Sequence, residues 1–126
     1  MSMTPSNNIL PGTLGGLKSA GRSDFYWIPS VVNFPGVDSV LGDSEGNLFT
    51  CQAIIAGDHK DPEDGIKKVW EELLPTVRNE RIWHYVIVTT TEADAAMYRA
   101  KFSTLLQSFR LGRGTQVHVC SSVLYL

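Results

Sequence analysis

The spacing of apolar positions along the chain predicts a mixed α/β domain with the order β-β-β-α-β-α-β. Residues 24–29 form a short aromatic run closed by Pro29, the pattern of a strand. A turn at Asn33-Phe-Pro-Gly36 leads to a second strand over 37–41. Gly42-Asp-Ser-Glu-Gly46 reads as a hairpin loop before a third, more apolar strand over 47–56. Together these predict an antiparallel meander. Ile66, Val69, Trp70, Leu73 and Leu74 then recur at i, i+3, i+4, i+7 and i+8, one stripe of a helix. Asp61 is its expected cap, Pro62 lies in its first turn with Glu63 and Asp64 at the positive end of the dipole, and Pro75 stops it. Residues 82–89 (IWHYVIVT) are almost continuously β-branched or aromatic, as in a strand covered on both faces. Thr91, with Asp94 three residues on, opens a second helix carrying Tyr98, Phe102, Leu105, Leu106 and Phe109 on one side. Gly112-Arg-Gly114 breaks that helix, and residues 115–126 return as the last strand. Two helical crossovers between apolar strands imply a mixed sheet with helices on its faces.

Residues 1–23 are rich in Ser, Thr, Asn, Gly and Pro, which predicts a flexible arm and leaves 24–126 as a single domain. Within the arm, Gly12-Thr-Leu-Gly-Gly-Leu-Lys18-Ser19 nearly spells a phosphate-binding loop. Leu17 stands where the second glycine must be and no strand precedes it, so the chemistry of that loop is not expected. A length of 126 residues, 43% of them hydrophobic, suits one core. No run approaches the ~18 apolar residues of a membrane span, and the first residues lack the basic start and apolar middle of a secretory signal. An intracellular protein, cytoplasmic or nuclear, is therefore expected. Two cysteines are too few for a disulfide framework; Cys51 and Cys120 fall inside predicted strands and read as reduced, buried thiols.

Eleven Lys and Arg against thirteen Asp and Glu give a net charge of −2 and no uniform attraction to nucleic acid. The charges are segregated, however. Asp38, Asp43, Glu45, Asp58, Asp61, Glu63 and Asp64 share their stretch with one base, Lys60, whereas Arg99, Lys101, Arg110 and Arg113 follow Asp94 with no further side-chain acid. Solvated surface is one account of this; the other is an acidic site beside a basic lip that meets phosphate.

Four segments carry a family resemblance: Phe25-Tyr-Trp-Ile-Pro29, Asn33-Phe-Pro-Gly-Val-Asp-Ser-Val-Leu41, Leu48-Phe-Thr-Cys-Gln-Ala-Ile-Ile-Ala56 with His59, and Trp83-His-Tyr-Val-Ile-Val88. Over residues 24–126 the chain resembles the C-terminal domain of Crinkler effectors and retrotransposon-hot-spot (RHS) proteins. The resemblance implies a restriction-endonuclease-like core of the PD-(D/E)xK type and an effector or host-factor setting, often nuclear. Cleaving a phosphodiester at such a site takes carboxylate oxygens around Mg²⁺ and, as a rule, a lysine near the attacking water. Asp38 matches the motif's aspartate, and hence its metal ligand. Gln52 matches the second ligand position, and the lysine position falls on Ile54, which can neither donate a proton nor orient a water. Lys60 or His59 would have to reach in from the end of the strand. The acid that the family's leading helix often supplies has no counterpart here.

The expectation is therefore a depleted nuclease site, with Asp38, Gln52 and Lys60 as catalytic candidates and Mg²⁺ bound only if the site is active; no cofactor is otherwise required. Arg99, Lys101, Arg110 and Arg113 are the phosphate-binding candidates on DNA. The plainer readings are that Asp38 caps its own turn, that Gln52 is a buried amide bonded within the sheet, and that His59, His84 and His118 are structural. Two other functions stay open. One is a protein-interaction or self-association module using a strand edge, as partner or homo-oligomer; the other is an active metal-dependent DNA endonuclease.

Overall fold

A computed structural model describes residues 9–21, 23–30, 34–55, 57 and 59–125. Met1 to Asn8 of the expected arm, Asn33 of the expected turn, Ala56, Asp58 and Leu126 lie outside the described residues. The three meander strands are β1 (Phe25–Trp27), β2 (Ser39–Gly42) and β3 (Asn47–Ala53). They pair antiparallel in the register Tyr26↔Leu41 and Leu41↔Phe49. The β2–β3 turn closes on Gly46 at φ +87° and on Asp43, whose Oδ1 accepts the backbone N–H groups of Glu45 and Asn47. Helix α2 (Glu63–Glu72) then carries the chain to β4 (Ile82–Thr89), parallel to β3, through a single turn, α3 (Pro75–Arg78). Helix α4 (Glu92–Leu105) leads to β6 (Thr115–Val123), parallel to β4, with the two-residue strand β5 (Arg110–Leu111) paired antiparallel at its far edge. The sheet order is β1-β2-β3-β4-β6-β5. This is the mixed α/β sheet that the pattern predicts.

Both crossovers step one strand in the same direction, from β3 to β4 to β6. Right-handed connections, the rule for such units, then place both helices on one face. The contacts agree. Trp70 of α2 meets Trp83 at 5.4 Å between ring centroids, and Phe102 of α4 meets Tyr85 at 5.5 Å, with Trp83 and Tyr85 on the same side of β4. The core is this single layer: Phe25, Trp27, Leu48, Ile66, Val69, Trp83, Ile87 and Phe102 are all fully buried in it. The expectation of helices on both faces, with β4 covered on each side, is corrected. β4 alternates, with Trp83, Tyr85, Ile87 and Thr89 buried and His84, Val86 and Val88 half-buried on a face that no described element covers.

Smaller corrections follow from local chemistry. The cap of α2 is Pro62, with no side-chain cap bond, rather than Asp61. Pro75 ends α2's run but also opens α3, where its missing N–H is not needed. Thr91 does cap α4, its hydroxyl accepting from Asp94 N at 3.1 Å. Cys120 is exposed rather than buried, and Cys51 is half-buried. Both thiols are free, and Val86 of β4 separates them in the sheet, so they lie about two strand spacings (~9.6 Å) apart, beyond disulfide reach.

Within the segment expected to be a flexible arm, residues 9–21 are packed. Ile9 bridges Tyr26, and a one-turn helix, α1 (Leu14–Leu17), is capped by Thr13 and buries Leu17, followed by buried Ala20. Trp27 Nε1 donates to Thr13 O at 3.0 Å. The glycines of the near-phosphate loop serve this packing: a Cβ on Gly16 would lie 1.9 Å from Pro11 O, and one on Gly12 2.5 Å from Ile28 O.

Candidate functional site

The two residues matching the nuclease pattern sit at the C-terminal end of β3, where ligands of open α/β sheets bind. Their chemistry is turned elsewhere. Asp38, just before β2, is exposed, and its Oδ2 accepts the backbone N–H of Ala53 at 2.7 Å. It therefore ties off the end of β3 rather than capping its own turn. Gln52 is 5% exposed and points into the core. Its Oε1 accepts Lys60 N at 2.9 Å. Its Nε2 donates to Lys60 O at 2.9 Å and Gly36 O at 3.1 Å, and it also meets the Tyr85 hydroxyl. Both amide hydrogens and one carbonyl lone pair are thus engaged. Ile54, at the lysine position, is 3% exposed within the core, its N–H bonded to Val88 O. These residues do not fit a Mg²⁺ site: one carboxylate is occupied by a backbone donor, the amide faces inward, and the third position is apolar. Among the described residues no group of three or more His, Cys, Asp or Glu is arranged to hold a metal ion.

What Gln52 does is clear from its partners. It fastens the 59–61 segment, through both backbone groups of Lys60, to the loop before β2. Gln52→Leu is expected to destabilise the protein by about 2–4 kcal/mol, since it leaves buried polar groups unpaired at roughly 1–3 kcal/mol each. Urea denaturation measures this, and amide exchange at Lys60 should accelerate in parallel. A change under ~1 kcal/mol would show the network to be replaceable by water.

The acidic and basic stretches do not meet around one cleft. Asp38, Asp61 and Glu63 lie near the C-terminal end of β3. Burial first, with the charges of Asp61 and Asp64 adding to it, pushes the Glu63 carboxyl above its ordinary range. Of the four phosphate-binding candidates, Lys101 contacts this end, its Nζ 2.8 Å from His59 Nε2. Arg99 is on the exposed side of α4. Arg110 folds back onto Gln107 O and Phe109 O, both at 2.8 Å. Arg113 lies on the β5–β6 turn, at the opposite end of the parallel strands.

The uncovered sheet face holds what the sequence reading missed. In register across five strands run Tyr26, Leu41, Phe49, His84 and His118. Phe49 and His84 stack at 4.8 Å and 20°, and His84 and His118 follow at 5.8 Å. A second row is Ser39, Cys51, Val86 and Cys120. A third, at the other end, is Asn47, Ile82, Gln116 and Arg110. None of the three rows contains a carboxylate. Burial first, then the nearby His118, lowers the His84 pKa against the pull of Asp43, so its imidazole is neutral at pH 7, with Nε2 3.0 Å from Asn47 Oδ1. Burial pushes the Cys51 thiol up to about 11 against a hydrogen bond to Ser39, which keeps it protonated. A signal was present in the sequence: His84 and His118 each sit between two inward-facing β-branched or aromatic residues, the mark of a half-exposed face.

Comparison with protein-family models, with curated proteins and with solved structures gives no match to this chain. No helix among the described residues is long and apolar enough to cross a membrane.

Proposed function

We propose that the chain is an endonuclease-like domain of the Crinkler/RHS type, without a working cleavage site, that binds single-stranded nucleic acid on its uncovered sheet face. The observation that carries this reading is the acid-free aromatic and imidazole row Tyr26–Phe49–His84–His118 on a molecule that is net acidic overall. Aromatic rings on an open sheet offer π-faces to unstacked bases, a contact worth roughly 1–3 kcal/mol per base and tolerant of sequence. A duplex keeps its bases stacked and has to be held through phosphates. The scattering of Arg99, Lys101, Arg110 and Arg113 over different surfaces offers no continuous track for that. The absence of cleavage rests on Gln52 and Ile54. In favour of the family resemblance, a one-turn helix lies ahead of the three-stranded meander. The helix departs from the pattern in carrying Leu14-Gly-Gly-Leu17 and no acid.

Fluorescence anisotropy with a labelled oligothymidine of about 15 nucleotides, against a duplex of the same length, tests the reading. Binding to the single strand is expected at low salt. It should weaken about tenfold in Phe49→Ala, consistent with the loss of one stacked base, and the oligonucleotide should stay intact with Mg²⁺ or Mn²⁺. No binding at low salt rejects nucleic acid as the partner. Metal-dependent cleavage that disappears in Asp38→Ala rejects the inactive site.

The same face favours a second reading, because Leu41, Val86 and Val88 make part of it apolar and nothing on it repels a copy of itself. In that reading the domain is an interaction module that pairs face to face with a second copy or a protein partner. Sedimentation separates the two: a dimer disrupted by Val86→Lys, with no oligonucleotide binding, is its signature.

A further inference from the structure

At the end of the sheet opposite Gln52 lies an open cavity of about 600 Å³, lined by Trp70, Arg78, Asn79, Arg113, Thr115 and the glycines of the β5–β6 turn. Its volume is within the usual range of ligand sites. Its polar side chains can all donate, two guanidiniums, one carboxamide and one hydroxyl, and there is no carboxylate among the lining residues. We propose that this cavity binds a phosphate group.

Three features make it a shaped site. First, the Arg78 guanidinium lies 5.0 Å from the Trp70 ring centroid and is held there by Nη1 donating to Trp70 O at 3.0 Å, while Trp83 Nε1 fixes the Arg78 carbonyl at 3.1 Å. Second, Arg78 Nε is buried with no hydrogen-bond partner, and neither Arg78 nor Arg113 has a carboxylate partner among the described residues. With no acid lining the cavity, the accessible guanidinium donors of these two arginines have no anion on the protein to meet. Third, the turn that brings Arg113 to the rim is pressed onto the indole. Gly112 has φ +55°, and a Cβ there would lie 2.6 Å from Trp70 Cζ2, so only glycine fits. Gly114, at φ +138°, completes the turn, its N–H donating to Leu111 O at 3.1 Å. The planar Arg113 guanidinium, with no partner among the described residues, matches the oxygens of phosphate better than a point charge does, and Arg78 stands beside it.

The phosphate has two sources, a terminal monoester or a backbone diester of a strand. The third row of the open face, with Gln116 and Arg110, adjoins the cavity through Thr115. A strand on that face would have to pass round the end of the sheet at the β5–β6 turn to bring a phosphate to the cavity. The choice of nucleic acid as source rests on the function proposed above; the phosphate chemistry does not.

Proton–nitrogen correlation spectra of the full chain, titrated with pyrophosphate and with oligothymidine bearing a 5′-phosphate or a 5′-hydroxyl, test the site. Saturable shifts are expected at the amides of Asn79, Gly112, Gly114 and Thr115, with affinity about tenfold weaker in Arg113→Ala and partly restored in Arg113→Lys. Arg113 is the deciding position because it is exposed on the turn, whereas Arg78→Gln also removes the contact with Trp70. If Arg113→Ala weakens only the 5′-phosphorylated strand, the site takes a terminal phosphate; if both strands weaken alike, it takes the backbone. Either result supports the proposal. It is overturned if none of the three probes moves these amides, or if Arg113→Ala leaves every affinity unchanged. An oligonucleotide that shifts the Phe49 and His118 amides while the cavity stays silent overturns the cavity alone. Pyrophosphate binding in the cavity, with no oligonucleotide effect on the sheet face, overturns the sheet-face reading and leaves the cavity a site for free phosphate.

Discussion

Replacing Arg81 by methionine is expected to destabilise the protein by about 3–5 kcal/mol, because it strips hydrogen bonds from several buried carbonyls at roughly 1–3 kcal/mol each. Arg81 immediately precedes β4 and is 6% exposed. Its Nη1 donates to Asp43 O and Asn47 O, both at 2.9 Å, and its Nη2 to Gly21 O at 2.9 Å and Ser23 O at 3.0 Å. One side chain thus joins the β2–β3 turn to the segment that leads into β1, and its guanidinium lies 5.2 Å from the Phe25 ring centroid. Burial lowers the Arg81 pKa and the Asp43 charge opposes it, yet a guanidinium remains charged at neutral pH. Methionine keeps much of the stem's packing and no donor, so four carbonyls each lose a hydrogen bond, with Asn47 O retaining the Asp43 N–H. Against a typical total of roughly 5–15 kcal/mol, such a loss unfolds a sizeable fraction of the chain on mild warming. Arg81→Lys should fall between, because an ammonium carries three donors without the fork that reaches four carbonyls. Urea midpoints at constant m-value measure all three proteins. A loss below ~1 kcal/mol for Arg81→Met would mean that water replaces the guanidinium and that Gly21 and Ser23 are held by other contacts.

Arg81 also shows where the sequence was readable and where it was not. The meander, both main helices, β4 and β6 follow from local patterns of period 2 or 3.6, and the three tryptophans are core because they fall on those patterns. What local pattern does not contain is strand order. β4 reads as buried on both faces only if its two crossovers lie on opposite sides. The observed order β3-β4-β6 sends both the same way, and that order is a matter of long-range pairing. Residues 9–21 were misread for a related reason. Their polar, glycine-rich composition describes a loop, but the partners that order them, Arg81, Tyr26 and Trp27, are distant or lie across a turn. The apolar spacing Leu10, Leu14, Leu17 was the available hint. At the candidate site, the motif positions were legible as residue types, and the inward turn of Gln52 was not. Both readings of Gln52 place it in β3, and only the 59–61 segment folding over it decides between them.

Introducing the glutamate and lysine of the nuclease pattern at positions 52 and 54 is expected to fail for reasons of burial rather than of missing chemistry. Ile54→Lys places an ammonium where a 3% exposed side chain packs in the core. A lysine there must either stay charged without a partner or lose its proton, and a single substitution of this kind costs about 3–5 kcal/mol. Gln52→Glu adds a second conflict. The carboxylate would face the carbonyls of Gly36 and Lys60, two acceptors that now receive the amide's hydrogens. Repulsion and burial would raise its pKa, so the residue is held more weakly once ionised. Here the folded-state pKa lies above the unfolded one. The Gln52→Glu protein should therefore be closest to the parent at acid pH and lose stability as pH rises past the ordinary glutamate value of ~4.3. The Gln52→Glu/Ile54→Lys double variant is expected to show a lower thermal midpoint at pH 7 than either single variant or the parent. It should give no metal-dependent nicking of plasmid DNA. A double variant that folds as stably as the parent and cleaves only with Mg²⁺ or Mn²⁺ would overturn this account. It would mean that the end of β3 can open toward solvent and that Asp38 can leave the Ala53 amide for a metal ion.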